Sequence, residues 1–249
     1  MSIFIKEYTK PNFGKVQFEC DEEINKKLNK YELTKSFLNK SNTTVFIGKQ
    51  GSGKTSLMIN FVTKIYKKCF HHIYVFMPAS SRASLKNNIF EKHLDPSKIY
   101  DELNTDTIND VYEKLQINTG KKERSLIIFD DVQKALKNVD ILRAFNNIVA
   151  NQRHLRVVNF IMLQNYIALD PKLRDLINNV ILFKLGKRQT ERIFDELIES
   201  HKDKFDVIRD FVFNEAYQWM FINIVSQRIF KKFDEVIYNN SDSDSDIEN

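Results

Sequence analysis

One short segment limits the folds available to this chain more than any other feature. Residues 48–55 read GKQGSGKT and match the pattern G-x-x-x-x-G-K-[ST]. An apolar, β-branched run at 43–47 precedes them, and a segment with helical spacing follows at 56–67. From average residue usage, a match arises by chance in a chain of this length with a probability of about one per cent or less. A strand, a glycine loop and a helix in this order predict an α/β fold built around a phosphate-binding loop, the P-loop.

The composition of the loop follows from the chemistry of phosphate binding. Three of the six glycines of the chain lie in it, because the backbone must curl until successive N–H groups point at phosphate oxygens. We expect Lys54 to contact the β- and γ-phosphates and the Thr55 hydroxyl to bind Mg²⁺. The residues expected to bind ATP are Gly48, Lys49, Gln50, Gly51, Ser52, Gly53, Lys54, Thr55 and Ser56.

A second motif pairs an apolar run with two carboxylates. The run 125–129 ends at Asp130 and Asp131. In P-loop enzymes an Asp at the end of such a strand holds Mg²⁺ beside the phosphates, a role that suits Asp130. Asp131 can reach the attacking water and act as general base. Paired acids at a strand end can also form an Asx turn or a helix cap, and the P-loop upstream favours the catalytic interpretation.

Apolar runs alternate with helical patterns over most of the chain. We expect strands at 43–47, 73–77, 126–129, 157–163, 180–185 and 218–225, and helices at 22–39, 56–67, 103–115, 135–149, 170–177 and 190–200. This alternation predicts a mainly parallel, RecA-like sheet with helices on both faces. The strand 73–77 lies between the two motifs in sequence. If it also separates or flanks them in space, the chain belongs to the branch with an additional strand between the motif strands, which includes hydrolysing motors.

The strand at 157–163 ends in a glutamine. Gln164 should emerge at the same sheet edge as Asp130, because parallel strands deliver their carboxyl ends to one side. From there its amide could bridge the γ-phosphate and the attacking water. The alternative is a polar residue that ends a strand and does nothing more.

The motifs around this strand occur in the order found in a known family. The dipeptide RH at 153–154 precedes the strand; LQNY at 163–166, PKLR at 171–174, NN at 178–179 and ILF at 181–183 follow it. Together with the FDD acidic motif and MP at 77–78, this order resembles the genome-packaging ATPases of poxviruses, other large DNA viruses and virophages. Those proteins belong to the FtsK/HerA superfamily of DNA-pumping P-loop motors. The resemblance covers roughly residues 41–200.

The resemblance implies an ATP-hydrolysing translocase that packages a viral double-stranded DNA genome into the capsid. Gln164 matches the polar sensor of the family. Arg153 is a candidate arginine finger for the ATP site of a neighbouring subunit, with Arg156 as its rival, and Arg174 matches a family position to which we assign no role. The family also implies a homo-oligomeric ring, a pentamer or hexamer, and a capsid or procapsid partner. Such a viral protein is expected in the host cytoplasm, at virus factories, or in the virion.

The charge distribution agrees with a polyanionic partner. Residues 1–238 carry all 38 Lys and Arg residues and 29 of the 33 acidic residues, a net charge of +9. A solvated Lys-rich surface would give the same count. Pore loops that grip DNA are expected among the basic residues of 79–124, which are Arg82, Lys86, Lys92, Lys98, Lys121, Lys122 and Arg124.

Two other functions use the same P-loop. A nucleoside or small-molecule kinase would need a substrate pocket and an arginine-rich lid, of which KRQ at 187–189 could be a fragment. A helicase-loader-like switch would bind nucleotide and assemble on a partner without pumping DNA. Gln164 after a long apolar strand disfavours the kinase.

The rest of the sequence suggests a division into an N-terminal extension, 1–40, an ATPase domain, 41–238, and an acidic Ser/Asp tail, 239–249. The tail cannot bury enough apolar surface to offset its ordering entropy, so we expect it to be disordered.

Cys20 and Cys69 show no metal-ligand spacing. No apolar run approaches the roughly 18 residues that a membrane span requires, and we expect neither a span nor a signal peptide.

Overall fold

The strands of the described residues form a single sheet of nine. The computed structural model describes residues 22–86, 88–198 and 204–237. The strands are β1 (Thr43–Ile47), β2 (His72–Phe76), β3 (Ile99–Tyr100), β4 (Ser125–Asp130), β5 (Val157–Leu163), β6 (Asn179–Phe183), β7 (Trp219–Asn223), β8 (Arg228–Lys231) and β9 (Asp234–Glu235). Their order is β3-β2-β4-β5-β1-β6-β7-β8-β9. Strands β1 to β6 pair in parallel, and β7 to β9 continue the sheet in antiparallel fashion. The predicted mainly parallel α/β sheet is confirmed.

One strand separates the two motif-bearing strands. β5 pairs with β1 on one side and with β4 on the other, so that Ile47 lies opposite Leu163 and Asp130 lies opposite Met162. The sequence predicted this branch of the fold. The inserted strand, however, is β5, and β2 flanks β4 on the outer side.

Helices cover both faces of the sheet. They are α1 (Lys54–Asn60), α2 (Ala79–Ala83), α3 (Ile89–His93), α4 (Thr105–Gly120), α5 (Val139–Ala150), α6 (Pro171–Arg174), α7 (Lys187–Leu197) and α8 (Phe205–Val212). A π-helical segment, Phe61–Ile65, extends α1. Buried side chains of α4, α5, α7 and α8 form the core on one face, and those of α1, α3 and the segment before β1 form the core on the other. None of the helices in the described ranges is long and apolar enough to cross a bilayer.

Several predicted helices are shorter or broken. The segment 22–39 forms a 3₁₀ helix, Lys26–Lys30, and a π-helical turn, Thr34–Leu38. The prediction for 135–149 missed a break at Asn138, whose side chain accepts hydrogen bonds from the first turn of α5. An N-cap residue has non-helical backbone angles, so the helix begins after it. The helix expected at 170–177 is reduced to α6. We did not predict β3, α8, β8 and β9 from the sequence. The acidic tail and residues 1–21 of the predicted N-terminal extension lie outside the described residues.

The segment before β1 packs onto the sheet. Leu28, Leu33 and Leu38 are buried, and the Tyr66 hydroxyl donates to the Leu38 carbonyl at 2.7 Å. On the same segment the backbone carbonyl of Glu22 accepts a hydrogen bond from the Arg124 guanidinium at 2.9 Å. These contacts join residues 22–40 to the core of the ATPase domain.

A buried polar network sets the register at the amino ends of the central strands. The Asn159 amide of β5 donates to the Thr43 hydroxyl of β1 at 3.0 Å, and that hydroxyl donates to the Gln152 side chain at 2.6 Å. Asn223 of β7 donates to Asn179 of β6 at 2.8 Å. Buried polar groups are costly when unpaired, so a slipped register would deprive these side chains of their partners.

Candidate functional site

The predicted P-loop leaves the carboxyl end of β1 and enters α1. The Gly48 N–H donates to the Leu163 carbonyl of β5 at 3.1 Å, which fixes the start of the loop to the neighbouring strand. Gly51 and Gly53 have φ angles of 75° and 98°, in the left-handed region that favours glycine. The loop therefore has the curled backbone that phosphate binding requires. Lys49 and Gln50 are exposed on it, and Ser56 is exposed in the first turn of α1.

Gly48 is required by crowding. A Cβ at this position would lie 2.6 Å from the Ser52 Oγ and 2.8 Å from the Cβ of Phe183 at the end of β6. Real Cβ atoms do not approach other atoms so closely, so a larger residue would displace the loop. The P-loop is thus held directly against β6 as well as against β5.

A cation and two carboxylates share the space beside the loop. The Lys54 Nζ donates to the Gly48 carbonyl at 2.6 Å and to the Lys49 carbonyl at 2.8 Å. Burial lowers the pKa of Lys54, and the charges of Asp130 and Asp131 oppose this shift. Burial and the neighbouring Asp131 carboxylate raise the pKa of Asp130 to about 6, against the attraction of Lys54. The structure therefore brings both sequence motifs into one site.

The oxygen donors of this site suit Mg²⁺. Thr55 supplies a hydroxyl at the start of α1, and Asp130 supplies a carboxylate whose charge acts on Lys54. Mg²⁺ is commonly bound by one or two protein oxygens together with phosphates and waters. Within 22–86, 88–198 and 204–237, no group of three or more His, Cys, Asp or Glu residues could hold a metal ion. With one hydroxyl and one carboxylate from the protein, a Mg²⁺ ion here would take its other ligands from phosphates and waters.

Asp131 leaves the strand in an unusual conformation. Its φ angle is 56°, and its side chain is exposed. Asp and Asn adopt the left-handed region more readily than most residues. The backbone turns sharply here, so Asp131 follows Asp130 without continuing β4. This exposed carboxylate next to the half-buried one of Asp130 suits the predicted division into a general base and a metal ligand.

Gln164 lies between the two motifs. It is the first residue after β5 and is exposed. Because β5 pairs with both β1 and β4, and neighbouring strands are about 4.8 Å apart, Gln164 is flanked by the P-loop on one side and by Asp131 on the other. The structure thus places this glutamine at the carboxyl edge of the sheet, between the P-loop and the acidic motif.

Arg174 has a role that the sequence did not reveal. Its guanidinium donates to both carboxylate oxygens of Glu196, at 2.8 and 3.0 Å, and to the carbonyls of Ile167 and Leu169, each at 3.1 Å. The same guanidinium lies 4.9 Å from the ring centroid of Tyr166, and the Tyr166 hydroxyl donates to Glu196. We call Arg174, Tyr166 and Glu196 the arginine clasp. It ties α6 and α7 to the loop that follows Gln164.

The two candidate arginine fingers differ in their surroundings. Arg156 is buried, and its guanidinium lies 3.4 Å from the Glu22 carboxylate. It is therefore part of the core beneath the segment 22–40, and its proposed role as a rival finger is wrong. Arg153 is exposed in the turn that leads into β5. This turn is at the amino edge of the sheet, about 20 Å from the P-loop edge at roughly 3.3 Å per strand residue.

The two arginines among the seven basic residues proposed for DNA-gripping loops are held within the chain, and the Lys98 ammonium lies 3.1 Å from the His72 Nδ1. The Arg82 side chain donates to the Met77 carbonyl and pairs with Glu91 and Asp101. Arg124 is buried, with its guanidinium on the backbone of the segment that precedes β1. These contacts make both arginines structural, which the sequence pattern could not show.

We expect Asp131→Asn to leave ATP binding intact and to lower kcat by about 100-fold or more, the usual contribution of a general base. Asparagine matches the shape of aspartate and tolerates the left-handed backbone, so the substitution removes a charge and a base and leaves the turn in place. Calorimetric ATP titration and steady-state hydrolysis would measure the two effects. If binding were abolished together with turnover, Asp131 would be a metal ligand instead.

We expect Arg174→Lys to lower kcat by about tenfold or more with little change in the Kd for ATP. Lysine keeps the charge but cannot make the forked contacts to Glu196 and two carbonyls, and a small displacement of a catalytic group is enough to slow turnover. Arg192→Lys is the matched control, since Arg192 is exposed on α7 about one turn from Glu196. Equal kcat values in the two variants would show that the clasp does not position Gln164.

Comparisons with known proteins agree with the fold described above. The DNA-packaging ATPase B204 from Sulfolobus Turreted Icosahedral Virus superimposes with a TM-score of 0.60 at 17% identity, covering 76% of this chain and 96% of that one. The genome packaging NTPase B204 from Sulfolobus turreted icosahedral virus 2, in complex with ATP-gammaS, gives a TM-score of 0.61 at 15% identity over the same shares of the two chains, 76% and 96%. The conjugation coupling protein TcpA of pCW3 gives 0.51 at 13% identity, covering 80% of this chain and 60% of that one. At such identities the likeness shows a common fold.

No curated protein sequence matches the chain significantly. A family model does match, and its description is Poxvirus A32 protein. The match runs from residue 29 to residue 249 and thus includes the P-loop, both carboxylates, Gln164 and the region after residue 200. A match over most of the chain establishes the family, and the chain therefore belongs to the Poxvirus A32 protein family.

Proposed function

We propose that this protein is an ATP-driven translocase that packages double-stranded viral DNA into a capsid. The observation that carries the proposal is the position of β5, which places Gln164 between the P-loop and the carboxylates of β4. A glutamine or similar residue at this point can orient water for attack on the γ-phosphate. Family membership and the fold shared with viral packaging ATPases support the further step from ATP hydrolysis to DNA movement.

The chemistry divides among a few side chains. The loop N–H groups and Lys54 would hold the β- and γ-phosphates and stabilise the charge that develops on them. Mg²⁺, held by Thr55 and Asp130, would neutralise part of the phosphate charge. Asp131 would accept a proton from the attacking water, and Gln164 would orient that water. The arginine clasp would keep Gln164 in place throughout the cycle.

The structure disfavours the kinase alternative. The lid fragment suggested at 187–189 is the first turn of α7, and Lys187 pairs with Asp206 of α8 at 2.8 Å. A helix that begins in this way is not a mobile lid. The helicase-loader-like switch can be distinguished by experiment. It would bind nucleotide, but its ATPase rate would not depend on DNA length.

A lysine-rich groove offers a surface for DNA phosphates. The lysine groove, of about 550 Å³, lies beside the π-helical end of α1, and its lysines are exposed. It is lined by Lys27, Lys30, Lys64, Lys67 and Lys68, together with Leu28, Tyr31, Thr34 and Ile65. No carboxylate from the described residues lines it. Arg82 and Arg124 are engaged elsewhere, so this groove is a stronger candidate for binding phosphate than those two arginines.

We expect long linear double-stranded DNA to raise the ATPase rate several-fold, with a steep decline of the effect as salt increases. Each phosphate that the protein binds releases condensed counterions, so DNA affinity falls linearly on a log–log plot against salt. The rate per subunit should also rise with protein concentration if a ring must form. A kinase would respond neither to DNA nor to assembly, and a flat rate in both titrations would reject the translocase.

A paired substitution in the same assay tests the lysine groove. Lys64→Gln with Lys67→Gln should weaken DNA binding and reduce the slope of log affinity against log salt by about one for each DNA phosphate that the groove no longer binds. Lys137→Gln with Lys172→Gln removes the same charge from exposed positions outside the groove. Equal effects of the two pairs would mean that net charge, and not this groove, governs DNA binding.

We further propose a head-to-tail ring, a pentamer or hexamer, in which Arg153 enters the ATP site of the next subunit. Arg153 and the P-loop lie at opposite edges of the sheet, so one subunit cannot bring them together. In a ring, the amino edge of one subunit can meet the carboxyl edge of its neighbour. A finger delivered in this way would neutralise transition-state charge and be worth ~10³-fold or more in rate.

We expect Arg153→Ala to bind ATP normally and to hydrolyse it poorly. Mixed with an inactive Lys54→Ala variant, it should regain activity, because some interfaces then pair an intact Lys54 with an intact Arg153. The control is the same mixture made with Arg143→Ala, which alters an exposed arginine of α5 and should retain full activity alone. Absence of rescue at every mixing ratio would argue against a finger in trans.

The cellular setting follows from the same proposal. A packaging motor of a poxvirus-type family would act in the host cytoplasm, at virus factories, and would contact a capsid or procapsid protein while DNA enters. Some copies would then remain in the virion.

A further inference from the structure

We infer that Tyr217 stacks on the base of the bound nucleotide, over a floor made by Phe183 and Trp219. The inference extends the proposed function, since it assumes a nucleoside triphosphate on the P-loop, and it requires neither DNA nor a ring. None of these three aromatic residues belongs to the loop or to the acidic motif. They reach the site from β6, from β7 and from the turn before β7.

The observation is a cavity beside the P-loop. Its volume is about 460 Å³, and the loop itself forms one wall. Leu57 and Asn60 of α1 line it, together with Phe183, Tyr217 and Trp219. A volume of this size falls within the usual range of small-ligand sites, which are mostly apolar with a few polar groups.

The direction of the bound nucleotide places the base in this cavity. The γ-phosphate must lie toward Asp131 and Gln164, because hydrolysis occurs there. Those residues follow β4 and β5, on one side of β1. Phe183 and Trp219 belong to β6 and β7, on the other side of β1. A nucleotide is an extended molecule, so its base must leave the loop on the side away from the γ-phosphate.

Tyr217 is held in an uncommon position for an aromatic residue. It is 75% exposed, and its φ angle is 57°, in the left-handed region. Its ring lies 3.7 Å from where a Cβ of Gly53 would be, as does the ring of Phe183. Exposure of a large ring costs solvation free energy, and a left-handed backbone costs more for a bulky residue than for glycine. A ligand face that covers the ring would recover the first cost.

The floor of the cavity is rigid. Phe183 and Trp219 lie opposite each other in the antiparallel pairing of β6 and β7. The Trp219 ring makes edge contacts with Phe61 and Phe233, with centroids 6.1 and 5.4 Å apart. Both floor residues are buried, and Tyr217 alone of the three aromatic residues projects into solvent. It can therefore close over a base while the floor stays fixed.

The test compares ATP with tripolyphosphate, which keeps the charges and lacks the base. We expect Tyr217→Asn to weaken ATP binding by about tenfold, in line with the contribution of one aromatic stack on a base, and to leave tripolyphosphate binding unchanged. Asparagine preserves the left-handed backbone. Tyr217→Phe keeps the ring and should bind both ligands as the unaltered protein does. Calorimetry with Mg²⁺ present would give each Kd.

The outcomes distinguish a failure of the base platform from a failure of the proposed translocase function. Unchanged ATP affinity in Tyr217→Asn would overturn the base platform, and so would an equal weakening for both ligands, which would indicate a disturbed P-loop. Trp219 is the one tryptophan of the chain, so its emission in the unaltered protein provides a second readout. Saturating ATP should change that emission more than tripolyphosphate does, and an equal response would contradict the inference. Failure of DNA to stimulate hydrolysis would reject the translocase and leave the base site intact.

Discussion

The pairing of β5 between β1 and β4 is the constraint on which the site depends. Backbone hydrogen bonds in a parallel sheet fix the relative height of the strand ends, so the register of three strands determines where the loop, the carboxylates and Gln164 meet. The buried network of Thr43, Asn159 and Gln152 supports that register from the opposite end. A shift by one residue would expose apolar side chains and leave buried amides unpaired. The relative positions of the strand ends are thus supported by core polar contacts about one strand length away.

The same sheet gives the nucleotide a direction. On one side of β1 lie β5 and β4, whose ends carry Gln164 and the two carboxylates that we propose act on the γ-phosphate. On the other side lie β6 and β7, whose ends carry aromatic rings. The crowded packing of Gly48 against Phe183 joins the two halves, because a loop pressed against β6 has little freedom to move. The proposed base platform would therefore be coupled to phosphate binding through one point of close packing.

The sequence predicted the parts of this site that are local and left out the parts that are not. The P-loop and the strand before Asp130 each depend on consecutive residues, so motif and hydrophobic pattern were sufficient. The helix break at Asn138 depends on a single side-chain cap. In the sequence, that cap is a weaker signal than the apolar helical pattern around it. The sequence did not indicate a role for Tyr217, because an exposed tyrosine suggests base binding only once its distance to Gly53 is known. The roles of Arg174 and Arg156 required long-range partners, Glu196 and Glu22, that lie 22 and 134 positions away.

The two edges of the sheet have different chemistry, and this difference bears on how the protein works. The carboxyl edge holds the P-loop, the carboxylates, Gln164 and the aromatic cavity, all of which belong to one subunit. The amino edge holds Arg153, and near it lies the lysine groove at the end of α1. A group at one edge cannot reach the other within a rigid sheet. If Arg153 completes an ATP site, it must do so across a subunit boundary. The rate of ATP hydrolysis then depends on how the two subunits are positioned at that boundary. Hydrolysis at one edge would in this way be linked to the relative position of basic surfaces near the other, which is the physical requirement for moving a polyanion stepwise.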